Sequence, residues 1–188
     1  MSKIALTPNA SGTGTLTIAA PNTSTDRIIT LPDETGSIIT TGSSGQVIPS
    51  AALPIGSVLQ VVYGWTNTSS STSSNSMQDT GLTATITPSS TSNKILILIS
   101  QQMYLGTDNG VQLQLMRDST TLWYSANSIH TQSAGANWQS HPHNHYDSPS
   151  TTSAVTYKTQ YCSRDNGETV GVQGNNYLST ITLMEIAA

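Results

Sequence analysis

The chain has 188 residues, 9% of them charged, and its net charge is −4 with six basic residues, Lys3, Arg27, Lys94, Arg117, Lys158 and Arg164, placed singly. An ordinary globular domain is about a quarter charged, so hydroxyl and amide groups must solvate this one, and no basic stripe exists that would neutralise a phosphate backbone. Nucleic-acid binding is therefore not expected. Hydrophobic residues make up 35%, thin for a self-sufficient core of this length, which points to burial completed between identical chains.

The opening MSKIALTPNA has no charged segment followed by an apolar stretch, and the apolar run Ile95 to Ile99 is too short to cross a bilayer, so neither a secretion signal nor membrane insertion is expected. Residues 1–45 read as a β arm. Thr15 to Ala19 and Arg27 to Leu31 are short strand candidates, and RIITLPDETGSIIT sets two Ile-Ile-Thr units around Pro32 to Gly36, a turn in which proline fixes φ and glycine supplies a positive one. A lone hairpin is marginal in water. The arm is thus expected to clasp another protein, with Arg27, Ile28, Ile29, Ile38 and Ile39 as its anchoring residues.

Residues 46–56 carry glycine, serine and proline without periodicity and read as a linker. From residue 57 to 188 the pattern is that of strands. Leu59, Val61, Tyr63 and Trp65 alternate, then Leu82, Ala84 and Ile86, then Val111, Leu113 and Leu115, then Val155, Tyr157, Thr159 and Tyr161, and finally Val170 with Val172 and Ile181 with Leu183. Ile95 to Ile99 is a continuous apolar run, expected as a central strand covered on both faces. No stretch shows a 3.6-residue apolar repeat. Many short strands between turn residues predict an all-β chain, a hairpin arm followed by a jelly-roll sandwich.

Catalytic motifs are not found. Gly12-Thr13-Gly14 lacks the third glycine and helix of a dinucleotide site, and no phosphate loop or nucleophile elbow is present. Asp33-Glu34 and Asp165 with Glu168 sit in turns and read as solvated carboxylates. The single cysteine, Cys162, excludes an internal disulfide and a cysteine-based zinc site, and in an alternating run it reads as a buried thiol. No enzyme activity and no cofactor are expected.

One constellation stands out: His141-Pro142-His143-Asn144-His145. In extended backbone alternate residues share a face, so three chains around an axis would offer six imidazole nitrogens to one transition-metal ion. Against that, Pro142 interrupts the motif and Tyr146-Asp147-Ser148-Pro149 reads as a loop exit, so the histidines are expected at a solvated loop tip without metal. Trp138, His143 and Tyr146 fall in the long irregular stretch from Ser125 to Ser153, where they are candidates for contact with a receptor, a host surface glycan or protein. The Ser/Thr/Asn tract from Thr66 to Ser76 reads as a loop or an exposed hairpin.

The segment GTGTLTIAAPNTSTDRIITLPDETGSIIT, with VLQVVYGWTNT, DTGLTATITPSSTSNKILILIS, LQLMRDSTTLW, DSPSTTSAVTYKTQY and the closing STITLMEIAA, resembles virion structural and tail-fibre proteins of marine and cyanobacterial tailed phages. That resemblance implies a tumour-necrosis-factor-like jelly-roll head that trimerises, on a tail appendage or on the capsid surface. The expected function is a phage fibre or appendage protein in host attachment. The alternative is a capsid decoration or head-fibre trimer held to the shell by its arm, which the short length favours.

Overall fold

The computed structural model describes residues 11–12, 53–105, 109–131, 137–165 and 167–188. The chain divides into two units, Met1–Gln46 and Val47–Ala188. Arg27, Ile28, Ile29, Ile38 and Ile39 of the expected arm lie outside the described residues.

Strands in the second unit run β1 (Val58–Thr66), β2 (Ser70–Thr72), β3 (Gln78–Ile86), β4 (Lys94–Leu105), β5 (Asn109–Arg117), β6 (Thr120–Thr131), β7 (Asn137–Asp147), β8 (Val155–Ser163), β9 (Val170–Val172) and β10 (Ser179–Ile186). They form two antiparallel sheets. The first is ordered β1-β10-β4-β9-β2, with β7 on the free side of β4; the second is ordered β3-β8-β5-β6. The result is a β-sandwich, and among the described residues the one helical element is a short 3-10 turn, Gly174–Asn176.

Alternation decides which side chains enter the core, because successive residues of a strand point to opposite faces. Leu82, Ala84 and Ile86 of β3 are buried while Thr83 and Thr85 are exposed. Ile95, Ile97 and Ile99 of β4 meet Ile181 and Leu183 of β10, Leu82 and Ile86 of β3, Leu115 of β5 and Tyr157 of β8. A second cluster, Met103, Leu105, Val111, Leu113, Tyr161, Val170 and Val172, fills the other end, and Trp123 of β6 packs against both. Cys162 is buried, donates to Gln112 Oε1 at 3.1 Å, and burial raises its pKa.

Gly64 explains how β1 crosses so near β3: a Cβ there would collide with the Thr83 carbonyl oxygen. Glu185 of β10 pins the β3–β4 connection. Its buried carboxylate accepts hydrogen bonds from Gln60 Nε2 (2.6 Å), Ser89 N (2.6 Å), Ser89 Oγ (2.8 Å) and Asn93 Nδ2 (2.7 Å). A buried polar chain also crosses the sandwich, from Thr80 to Thr159 (2.6 Å), on to Gln101 (2.9 Å) and then to Ser179 (3.1 Å).

Two expectations need correction. The Ile95 to Ile99 run is a central strand by its neighbours, but it is not covered on both faces: its side chains alternate, and Leu98 stays 38% exposed. The stretch 125–153 is not a long irregular region, since β6 extends to Thr131 and β7 occupies Asn137–Asp147. Pro142 does not break β7. Within the described residues this strand pairs only with β4, and on such an edge alternate N–H groups point away from the partner, so one missing donor costs no ladder bond.

Candidate assembly face

The register places the outward side chains of the first sheet in rows. One row reads Val61, Met184, Leu96, Tyr146; the next reads Tyr63, Thr182, Leu98, Asn144; the third reads Trp65, Thr180, Ser100, Pro142. Large apolar groups on this face are left in water. Val61 and Tyr63 are 56% exposed, Trp65 58% and Tyr146 57%. A shallow dimple of about 430 Å³ opens on the β4–β7 side, lined by Leu98, Ile99, Pro142, His143 and Asn144. At the far end of the face the Trp138 ring lies tilted against those of Tyr104 (ring centroids 4.6 Å apart) and Tyr177 (5.7 Å). Gly174 is required there, because a Cβ would enter the Trp138 ring.

The histidines face the other way. His141, His143 and His145 pair with Gln101, Ile99 and Ile97, whose side chains point into the sandwich. They do not form a loop tip. His143 stacks on Trp123 of β6 with centroids 3.8 Å apart, and His141 lies 5.9 Å from the same ring. His143 Nε2 and Ser128 Oγ are buried without a hydrogen-bond partner in this β6–β7 seam. Burial lowers the pKa of His141, partly offset by a bond to the Ser128 backbone, and burial together with the neighbouring His141 and His145 lowers that of His143. Among the described residues no three His, Cys, Asp or Glu side chains come together as a metal-ligand set.

The three receptor candidates are therefore not one site. Trp138 and Tyr146 both lie on the outer face, but they stand eight positions apart along β7, about 26 Å of strand, and His143 lies on the opposite face. Alternation placed Tyr63 and Trp65 on one face of a strand. What the sequence reading missed is that they share one uncovered face with Leu98 and Tyr146, because that depends on strand order.

The carboxylates are tied up structurally. Asp147, mostly buried, takes both Arg117 Nη1 bonds (2.9 and 2.7 Å) and the Tyr157 hydroxyl (2.7 Å), joining the two sheets. Burial first, then this carboxylate, raises the Tyr157 pKa far above its ordinary value. Asp79 pairs with Lys158 (2.8 Å) on the surface, and the Lys158 and Gln160 side chains lower its pKa against the effect of burial.

No protein-family model matches the chain, and no curated protein does. Two solved structures are similar in shape. That of infectious bursal disease virus Gx strain aligns over 69% of this chain with 14% identity and a TM-score of 0.35, and that of the Gt strain over 69% with 13% identity and a TM-score of 0.32. The chain spans 37% and 38% of the length of those chains. Likeness of that degree carries no functional argument, so function is read from this chain's own surface.

Proposed function

We propose that this protein is a structural component of a tailed-bacteriophage virion, a homotrimeric fibre or appendage protein that contributes to host attachment, and not an enzyme. The observation that carries this reading is the uncovered apolar face of the first sheet, Val61, Tyr63, Trp65, Leu98 and Tyr146, on a chain that is rich in Ser, Thr and Asn and only 9% charged. A monomer rarely leaves such a patch in water, so the face suits a protein that works inside an assembly.

Strand order supports the jelly-roll reading. With the three-residue β2 and β9 set aside, the eight long strands are ordered β1-β10-β4-β7 and β3-β8-β5-β6, the exchange between sheets that two Greek keys produce. A non-enzymatic role is supported by the carboxylates and histidines, which are used for stapling sheets and closing a seam. Capsid decoration remains the second reading, because a flat apolar sheet face serves a trimer on the shell as well as one on the tail.

Antibody-gold raised against residues 57–188 decides between them on intact virions. Label on the tail supports the attachment role, and label on the icosahedral shell supports decoration. Particles carrying no label overturn both. Release of reducing ends from host polysaccharide by the purified protein overturns the non-enzymatic reading.

A further inference from the structure

We infer that the outer face of the first sheet is covered by a second copy of this chain, with Tyr63 and Trp65 of one copy seated in the Leu98–Pro142–Asn144 dimple of the next. The inference rests on the homotrimeric reading above and adds which residues meet. Three observations carry it.

The first is charge. The outward rows from β1 to β7 contain Lys94 at one corner and no carboxylate. A partner of opposite charge is not called for, whereas an identical uncharged face is a fitting occupant. The second is area. Tyr and Trp bury roughly 150–250 Å² each, so the exposed halves of Tyr63, Trp65 and Tyr146, with Val61 and Leu98, amount to roughly 500 Å² of apolar surface. Adding the Thr, Ser and Asn side chains between them brings the face towards the roughly 800 Å² per partner of a stable interface.

The third is shape. The projecting rings stand on β1 and the dimple lies on the β4–β7 side of the same face, three strand spacings or about 14 Å away. Knob and socket thus occur on one surface but cannot meet within one chain. Two copies can exchange them about a two-fold axis and stop at a dimer, or pass them head to tail around a ring. The trimeric reading selects the ring.

The test uses the full chain carrying Tyr63→Cys and Asn144→Cys, treated with a bismaleimide whose spacer is shorter than that 14 Å span. Cys162 is buried, and the unsubstituted protein serves as the control for its reaction. Light scattering behind a sizing column gives the assembly size independently, on the unsubstituted protein, in which Tyr63 and Asn144 are intact. Expected is a trimer that becomes covalently linked into dimers and trimers, while either single-cysteine variant is not linked. A trimer that resists linking overturns this inference and leaves the trimeric reading intact. A dimer linked only as far as dimers overturns the trimeric reading and the ring with it. A monomer overturns both and assigns the face to another occupant, such as residues 1–46 or a different virion protein.

A second arm uses Trp65→Ala, which removes the knob, and Leu98→Trp, which fills the socket. Both side chains point outward, so the sandwich core is untouched. A central aromatic anchor is an interface hot spot, so each change should raise the half-dissociation concentration about 30-fold or more. Unchanged association in both variants overturns the inference.

Discussion

Replacing Glu185 by glutamine tests what holds the β3–β4 connection to the last strand. The carboxylate is fully buried, takes part in none of the described salt bridges, and is satisfied by four neutral donors within 2.8 Å. Three of those donors, Ser89 N, Ser89 Oγ and Asn93 Nδ2, converge on Oε1, and Gln60 Nε2 alone serves Oε2. An amide can keep its oxygen where Oε1 was. Its NH2 must then face Gln60 Nε2, which is itself held by the Thr87 carbonyl at 2.8 Å and cannot turn over without losing that bond.

Glu185→Gln therefore forfeits one charge-assisted bond and opposes two donors, a cost of about 2 kcal/mol. Glu185→Ala strands all four donors and leaves a cavity, for about 3–5 kcal/mol. Urea denaturation at one fixed protein concentration, read as a midpoint shift at constant slope, measures both. The pH dependence gives a second readout. Burial raises the carboxyl pKa, but donors from Asn93, Gln60 and Ser89 outweigh it and hold it below the ordinary 4.5. A depressed native pKa means that this stability is complete above about 4.5 and is lost as pH falls through the native value. The glutamine variant should lose that part of the acid limb. Equal midpoints for wild type and Glu185→Gln at neutral pH, or a difference that does not shrink on acidification, would refute the reasoning.

The β6–β7 seam should respond to milder acid. His141 and His143 have native pKa values below the ordinary 6.5, so the unfolded chain binds protons first, and stability present above 6.5 falls as pH drops from there towards the native values. Trp123 fluorescence should report the loosening, and His143→Asn should flatten it; an identical pH profile in the variant refutes this. Asp147→Ala leaves the partly buried Arg117 and the Tyr157 hydroxyl without their acceptor and should cost about 3–5 kcal/mol, whereas Tyr157→Phe should cost about 1–2 kcal/mol. Thermal unfolding checks both, and equal losses would show that the charge of Arg117 is not what Asp147 offsets.

Much of the sandwich was legible because its core strands obey a period of two. Leu82-Ala84-Ile86, Val111-Leu113-Leu115 and Ile181-Leu183 fall where alternation put them, since one face of each strand is buried. β7 was not legible, because its inward positions carry His141, His143 and His145 rather than aliphatic residues and Pro142 interrupts the run. The histidines are tolerated inside because an aromatic ring can receive them: Trp123 offers its face to His143. Ile95 to Ile99 misled in the opposite direction. A continuous apolar run is the mark of a strand covered twice, yet Leu98 remains uncovered within one chain.

That mismatch ties the sequence to the proposed assembly. If the run Ile95 to Ile99 is read as a statement about the finished particle rather than about one chain, the expectation of two covered faces requires something to lie over Leu96 and Leu98, and the outer rows show what else would be covered with them. The residues that carry the family resemblance behave differently. Ser89, Asn93 and Glu185, from the TPSSTSNKIL and STITLMEI segments, are spent on one buried hydrogen-bond cluster, so they specify how the sandwich closes and not what it contacts. The outward residues Tyr63, Trp65, Pro142 and Tyr146 contribute nothing to that closure. Substituting them should leave the fold standing while the assembly fails, and substituting Glu185 should lower the stability of the fold while leaving the outer face unchanged.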